Sequence, residues 1–159
     1  WRWVGPWGWT WIDDRQWGFA TSHFGRWTNI GGSDAEAGRW GWVPGGRVEE
    51  PVFMPAVVAF LGTARVGLSY PDAFSPAVAW FPLAPGEVYW PSFTDDPEAI
   101  RRLNAGSVAD LAAIGAALKG DPPADIVTGE YRNRRHASDE GPRPCRARDT
   151  GSHPKRAAR

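Results

Sequence analysis

The sequence has little cysteine, no charge bias and no long hydrophobic run, and each shortage excludes a class of protein. Its 159 residues include one cysteine, Cys145, which excludes an intrachain disulfide and a cysteine-based zinc site. Basic and acidic residues number 18 each, so the overall charge favours neither nucleic acid nor an anionic membrane as a partner. No apolar stretch approaches the ~20 residues of a membrane-spanning helix. We therefore expect no nucleic-acid partner and no transmembrane segment.

Residue patterns typical of metal or cofactor sites are also missing. The three histidines show no HxH or HExxH spacing, and no nucleophile elbow, P-loop or dinucleotide-binding glycine pattern occurs. We therefore expect no metal and no cofactor. His23 is interpreted as a half-buried residue hydrogen-bonded to a turn. Adjacent acids in a strand point to opposite faces, so Asp13 and Asp14 are interpreted as turn residues.

Tryptophan is what the chain has in abundance. Nine of its eleven tryptophans lie in the first 42 residues, interleaved with glycine. Trp7, Trp9 and Trp11 recur every second residue, which is the spacing of a strand with one aromatic face. Trp17 and Phe19 resume that spacing after a DDRQ turn, so the region predicts a β-hairpin.

Short repeats and prolines extend the β prediction toward residue 93. The tripeptide GRW occurs at 25–27 and at 38–40, which indicates successive antiparallel strands. Beyond Gly46, apolar runs punctuated by proline indicate short strands and turns, because proline removes a ladder donor. We expect no regular helix before Thr94.

Helix signals begin at Thr94. Thr94 or Asp95 is a candidate cap, followed by Pro97 near the first helical position and Glu98 in the first turn. A second, amphipathic helix is predicted from a capping-box-like start at Ser107 to 119. A last short strand is predicted over 126–131.

The predicted fold class is mainly β. Residues 1–93 are expected to form a small antiparallel meander or open barrel, and residues 94–130 one or two short helices packed on it or linked to it. Residues 131–159 carry nine basic and three acidic residues and few large apolar ones, so a disordered basic tail is predicted.

The tryptophan cluster has two interpretations. Each buried aromatic hides roughly 150–250 Å², and a thin glycine-rich sheet has little else to pack with, which favours indoles as core. A strip of partly exposed indoles would instead form a platform for stacking on a ligand. We favour the core interpretation and keep the exposed strip as the alternative.

Four blocks occur in an order that carries a family resemblance: WGWTWIDDRQWGFATSHFGRW, GRWGWVPG, PVFMPAVVAFLG and WFPLAPGEVYWP. The chain resembles Trp/Gly/Pro-rich, or proline-rich, exported proteins of Gram-negative bacteria that carry a domain of unknown function, some of them near FecR-type annotations. The resemblance implies export to the periplasm or envelope, a leader in the full-length form and no established activity. The start at Trp1 is consistent with a fragment or processed form.

The sequence departs from this family pattern at SDAEA, in the helical segment and after YRNRRHAS. Apolar residues disappear abruptly beyond that last block, which motivates the hypothesis of a reading-frame change near Ser138. Finding the uninterrupted frame in the source DNA, with homologous tails elsewhere, would remove it.

The preferred functional prediction is a non-catalytic envelope protein that scaffolds, or binds another envelope protein or a cell-wall glycan. Its predicted ligand contacts are Trp11, Trp17, Trp27 and Trp42. The alternative is an envelope hydrolase that uses Asp13 or Asp14 with His23.

Overall fold

The computed structural model describes residues 1–31, 38–61, 79–109 and 131–138. Within these residues the chain forms short strands and two α-helices. In chain order the elements are β1 (Arg2–Val4), β2 (Gly8–Thr10), α1 (Gly18–His23), β3 (Arg26–Ile30), β4 (Arg39–Val43), β5 (Val58–Leu61), β6 (Ala79–Pro82), α2 (Pro97–Asn104) and a 3₁₀ turn (Arg134–His136).

The strands pair in sequence as three two-stranded antiparallel sheets, β1 with β2, β3 with β4 and β5 with β6. The mainly β prediction is confirmed, and among the described residues no sheet closes into a barrel. Each GRW repeat runs into a strand as predicted, the first (25–27) into β3 and the second (38–40) into β4. In this pair Trp27 lies opposite Trp42. Gly25 enters β3 with φ +67°, and a Cβ there would meet the carbonyl of Val43, so glycine is required at this position.

The predicted hairpin between the first tryptophan strand and WGFAT is wrong. β2 pairs back with β1, and the WGFAT segment is the start of helix α1, so the expectation of no helix before Thr94 is also wrong. The hydroxyl of Thr21 donates to the carbonyls of Trp17 and Gly18 inside this turn. Gly18 is needed because a Cβ there would lie 2.5 Å from the side chain of Asp13.

The hydrophobic core lies where β5 and β6 meet helix α2. Its buried cluster contains an aromatic ring, Phe81, at 0% exposure, with Leu61 and Leu83 beside it. The full cluster is Met54, Val57, Leu61, Ala79, Phe81, Leu83, Tyr89 and Leu103. All of them except Leu103 of α2 come from the proline-punctuated region, so the strands predicted there and the chain beside them supply most of the core.

Helix α2 confirms the first predicted helix. The cap is Asp96 and not the predicted Thr94 or Asp95, since the side chain of Asp96 accepts a hydrogen bond of 3.1 Å from the backbone N–H of Glu98, while Pro97 occupies the first turn. Ile100 and Leu103 are buried on the side that faces the core. Of the helix predicted from Ser107, everything from Asp110 onward lies outside the described residues. Of the strand predicted over 126–131, only Tyr131 is among the described residues.

Residues 131–138 correct the predicted start of the tail. They are ordered: Tyr131 packs against Phe81 with ring centroids 5.3 Å apart, and Asn133 is buried. Large apolar residues are scarce here, but the side-chain amide of Asn133 donates to the backbone carbonyls of Trp27 and Pro82 and holds the segment in place. Residues 139–159, with the hypothesised frame change, lie outside the described part.

Candidate ligand-binding cleft

Most of the described tryptophans are not core residues. Trp9 is 4% exposed, whereas Trp17 is 51% exposed and Trp3, Trp7 and Trp40 are also classed as exposed. The interpretation of the tryptophan cluster as all core is therefore wrong, and the alternative of partly exposed indoles describes the structure. The core cluster is instead formed by mainly aliphatic side chains, with Phe81 and Tyr89, from β5, β6, α2 and the chain beside them.

Six of the indoles line one open cleft with a volume of about 590 Å³. Pockets of roughly 300–1,000 Å³ accept small-molecule ligands. Polar groups lie among the aromatic walls, including Asp13, Arg15 and His136. The cleft tryptophans are Trp1, Trp11, Trp17, Trp27, Trp40 and Trp80.

Three indoles form a contiguous group on one side of this cleft. Trp1 meets Trp11 edge-on at 5.2 Å and Trp80 at 5.4 Å, and Trp11 lies 5.6 Å from Trp80. The backbone N–H of Trp11 donates to the carbonyl of Pro55 at 3.0 Å, which fixes the chain that leaves β2. Such edge-on ring contacts favour one relative orientation, so this wall is preformed.

Trp27 is held by two hydrogen bonds. Its indole N–H donates to the carbonyl of Thr21 at 2.8 Å, and its backbone N–H donates to Leu83 at 2.9 Å. The first bond fixes the ring against α1, and the second ties β3 to the chain that follows β6. Because the polar edge of the indole is already satisfied, its apolar face is what remains for a ligand.

The residue before Trp27 anchors β3 in the interior. Arg26 is 1% exposed, and its guanidinium donates to the carbonyls of Glu87 and Gly25 and to Oδ1 of Asn104. Burial lowers the pKa of Arg26 to about 10, and the charge of Glu87 acts in the opposite direction. The strand that carries Trp27 is thus held by the side chain of Arg26 as well as by the backbone bond of Trp27 to Leu83.

A charged rim borders the exposed ring of Trp17. The guanidinium of Arg15 lies 5.3 Å from the centroid of that ring, within cation–π range. The backbone N–H of Arg15 donates to Oδ1 of Asp13 at 2.9 Å, which confirms the turn role predicted for Asp13. The rim therefore places the carboxylate of Asp13 and the guanidinium of Arg15 next to the exposed indole of Trp17.

Three of the four predicted contact residues, Trp11, Trp17 and Trp27, lie together in the cleft. Trp42 does not line it, since its indole N–H donates to the carbonyl of Phe24 at 2.9 Å and its ring borders a separate groove with Pro44. Sequence reasoning missed Trp1, Trp40 and Trp80. Trp40 carried a signal, since it ends a GRW repeat, whereas Trp80 is remote in sequence and joins only through folding.

The acid and histidine of the predicted hydrolase are not hydrogen-bonded to each other. Nδ1 of His23 donates to the carbonyl of Met54 at 2.7 Å, and its ring packs against Phe53 at 4.5 Å. His23 is 4% exposed, more buried than predicted, and burial lowers its pKa. Asp13 lines the cleft, but His23 does not.

The described residues offer neither a metal site nor a membrane-spanning helix. No group of histidine, cysteine, aspartate or glutamate there is arranged to hold a metal ion. Neither helix in that part of the chain has the length and apolar character needed to cross a membrane.

Comparison with known proteins identifies the family. The sequence pattern of a family of unknown function (DUF6600) matches residues 1–87, more than half of the 159-residue chain. The chain belongs to the DUF6600 family. No curated protein and no solved structure matches it. All six cleft tryptophans lie inside the DUF6600 region, whereas His136 and Ser138 of the cleft lie beyond it.

Proposed function

We propose that this DUF6600 protein is a non-catalytic binding module of the bacterial envelope whose aromatic cleft binds a cell-wall glycan. The observation that carries the proposal is the grouping of six indoles around one cleft while the hydrophobic core is built from other residues. Indoles that do not stabilise the interior are available for recognition.

A sugar ring suits these walls. The face of an indole carries the negative part of the ring quadrupole, and it attracts the slightly positive C–H groups on the flat side of a pyranose. Hydroxyl groups at the edge of the sugar can then bond to Asp13, Arg15, His136 and Ser138, which lie among the indoles. A few polar groups among apolar walls are typical of small-ligand sites.

Charge argues against nucleic acid as the ligand. Nucleic-acid affinity depends on several lysine or arginine contacts to phosphate. Within the described part of the chain, the charged side chains that line the cleft are Asp13 and Arg15. The negative charge of Asp13 offsets the positive charge of Arg15, so the cleft has no net electrostatic attraction for a polyanion.

The non-catalytic part of the proposal is supported by how the hydrolase candidates are bonded. Asp13 accepts from its own turn, and His23 donates to a backbone carbonyl. Turnover by the parent protein in a broad glycosidase and peptidase screen, abolished by D13A/D14A/H23A, would restore the hydrolase alternative.

The envelope location is supported by the resemblance to exported proteins. Fractionating cells that express the full-length reading frame tests it. Recovery in the periplasm or envelope is the expected result, and recovery only in the cytoplasm contradicts it.

Titration with soluble peptidoglycan fragments and N-acetylglucosamine oligomers, followed by calorimetry, tests the ligand. Each stacked ring contributes ~1–3 kcal/mol in comparable aromatic stacks, so Trp17→Ala is expected to weaken binding about tenfold to a hundredfold. Trp7→Ala is the matched control, because Trp7 is 39% exposed but lies outside the cleft. No binding by the parent protein, or equal losses in both variants, would refute the glycan proposal.

A further inference from the structure

The segment 131–138 lies beyond the DUF6600 region and yet contacts three of the cleft tryptophans. The first contact is through Asn133, which is 2% exposed. Its side-chain amide donates to the carbonyl of Trp27 at 2.8 Å and to that of Pro82 at 3.0 Å. A single amide group therefore bridges β3 and β6, two strands that belong to different sheets.

The second contact is a backbone pair at the end of the segment. The N–H of Ser138 donates to the carbonyl of Trp80 at 2.8 Å, and the N–H of Trp80 donates back at 3.1 Å. This reciprocal pair extends the edge of β6 by one bridge. It holds the backbone that carries the Trp80 indole.

The third contact is between rings. His136 meets Trp40 edge-on at 5.5 Å. Arginine only donates hydrogen bonds, so Nε2 of His136 must accept the bond of 3.1 Å from Nε of Arg135. His136 and Ser138 both line the cleft, so the segment supplies part of its wall as well as its support.

The start of the segment is attached separately. The backbone N–H of Arg132 donates to Oε1 of Glu87 at 2.8 Å, while Oε2 of the same carboxylate accepts from Ala84 at 2.7 Å. Together with the packing of Tyr131 on Phe81, this fixes the start of the segment, and the backbone pair between Ser138 and Trp80 fixes its end.

We propose that residues 131–138 act as a clamp that sets the geometry of the aromatic cleft, with Asn133 as the positioning residue. The ligand site then extends beyond the DUF6600 region, because residues 131–138 lie outside that region and align the walls of the site. What occupies the cleft rests on the proposed function, but the clamp itself is a statement about where Trp27, Trp40 and Trp80 lie.

The test is Asn133→Asp in the full chain labelled with 5-fluorotryptophan. Aspartate keeps the shape of asparagine, but its carboxylate cannot donate to the two carbonyls. We expect the ¹⁹F resonances of Trp27, Trp40 and Trp80 to shift or broaden, while those of Trp3, Trp7 and Trp9 stay in place. Arg132→Ala is the control within the same segment, because the hydrogen bond from Arg132 to Glu87 uses the backbone N–H, which the substitution keeps.

Glycan affinity is the second readout. Because a displacement of about 1 Å in a positioned group can cost on the order of a hundredfold in function, we expect Asn133→Asp to weaken binding by roughly tenfold or more. If the parent binds no glycan but the three resonances move, the proposed function fails and the clamp stands. If the parent binds and Asn133→Asp changes neither spectrum nor affinity, the clamp is refuted.

Ser138→Pro keeps the proposal testable if Asn133→Asp does not fold. Proline removes the N–H that donates to Trp80. The expected change is a shift of the Trp80 resonance with Trp3 and Trp7 unmoved. A Trp80 resonance at its parent position would overturn the clamp.

Discussion

The core cluster and the cleft differ in which residues they use and in what those residues can do. The described core cluster contains Phe81 and Tyr89 among aliphatic side chains and has no tryptophan as a member. The cleft has six tryptophans and few aliphatic residues, of which Val57 also belongs to the core cluster. Apart from Val57, the core and the proposed recognition surface therefore use different side chains, and substitutions can separate the two.

Polar groups differ between these regions as well. In the interior, Asn104 uses all four of its hydrogen-bonding positions: its oxygen accepts from Arg26 and from the backbone N–H of Tyr89, and its amide donates to the carbonyls of Tyr89 and Ile100. Burial raises the pKa of Tyr89 well above its usual range. In the cleft, by contrast, the side chain of Arg15 is 65% exposed, so its guanidinium is open to solvent.

The largest expected effect comes from breaking the interior network without touching the cleft. Asn104→Leu would leave the guanidinium of Arg26 and both backbone groups of Tyr89 short of partners. At roughly 1–3 kcal/mol for each unpaired buried group, we expect a loss of about 4 kcal/mol in the free energy of unfolding. Urea denaturation measures it, and Arg102→Ala, on the exposed side of α2, is the control. A loss below that of the control would contradict the network.

A direct comparison of two aromatic rings comes next. Phe81→Ala removes a fully buried ring and is expected to cost about 3–4 kcal/mol. Trp17→Ala removes a larger ring that is half exposed, and its cost to stability is expected to be about 1 kcal/mol. The comparison fails if urea denaturation gives equal losses for the two variants.

Helix α2 offers a smaller test on the core side. Asp96→Ala removes the cap that accepts from Glu98, and we expect a loss of about 1 kcal/mol. Asp95→Ala changes the adjacent exposed acid, and thermal unfolding of the two variants isolates the capping bond. Equal melting temperatures would mean that the cap contributes nothing.

The smallest effect is the dependence of stability on pH through His23. Burial lowers its pKa in the folded state below the ordinary 6.5, so the unfolded chain takes up the proton first as the pH falls. Stability from this group is present above about pH 6.5 and is lost as the pH falls from there toward the folded pKa. His23→Asn, which keeps a donor for Met54, is expected to flatten that slope. Unfolding curves between pH 5 and 8 measure the slope in the parent and in the variant, and an unchanged slope in His23→Asn contradicts the assignment.

Local signals predicted the parts of the fold that depend on neighbours in sequence. Pro97 and Glu98 predicted the start of α2, although its cap is Asp96 and not Thr94 or Asp95, and the GRW repeats predicted β3 and β4. The same reasoning failed at Trp17 and Phe19, whose spacing of two fits a strand. That segment is helical in the fold, where Gly18 lies against Asp13.

The sequence predicted that tryptophans would form the candidate site, but it did not predict which tryptophans. Trp11, Trp17 and Trp27 were chosen from a dense run of tryptophans, and the structure brings them together. Trp42 was chosen for the same reason, but it follows Gly41 on β4 and bonds to Phe24 instead. No local pattern links Trp80 to the cleft, because only the pairing of β5 with β6 brings it there.

By itself, the sequence determined a mainly β chain, a capped helix α2 and an aromatic surplus near its beginning. These follow from strand periodicity, turn residues and capping chemistry, which act over a few residues. Tertiary structure alone decided which indoles are exposed, that Arg26 is buried and that residues 131–138 contact Trp27, Trp40 and Trp80. Each of these depends on which distant groups compete for the interior, where mainly aliphatic side chains, with Phe81, Tyr89 and a fully hydrogen-bonded Asn104, form a core cluster that includes no tryptophan.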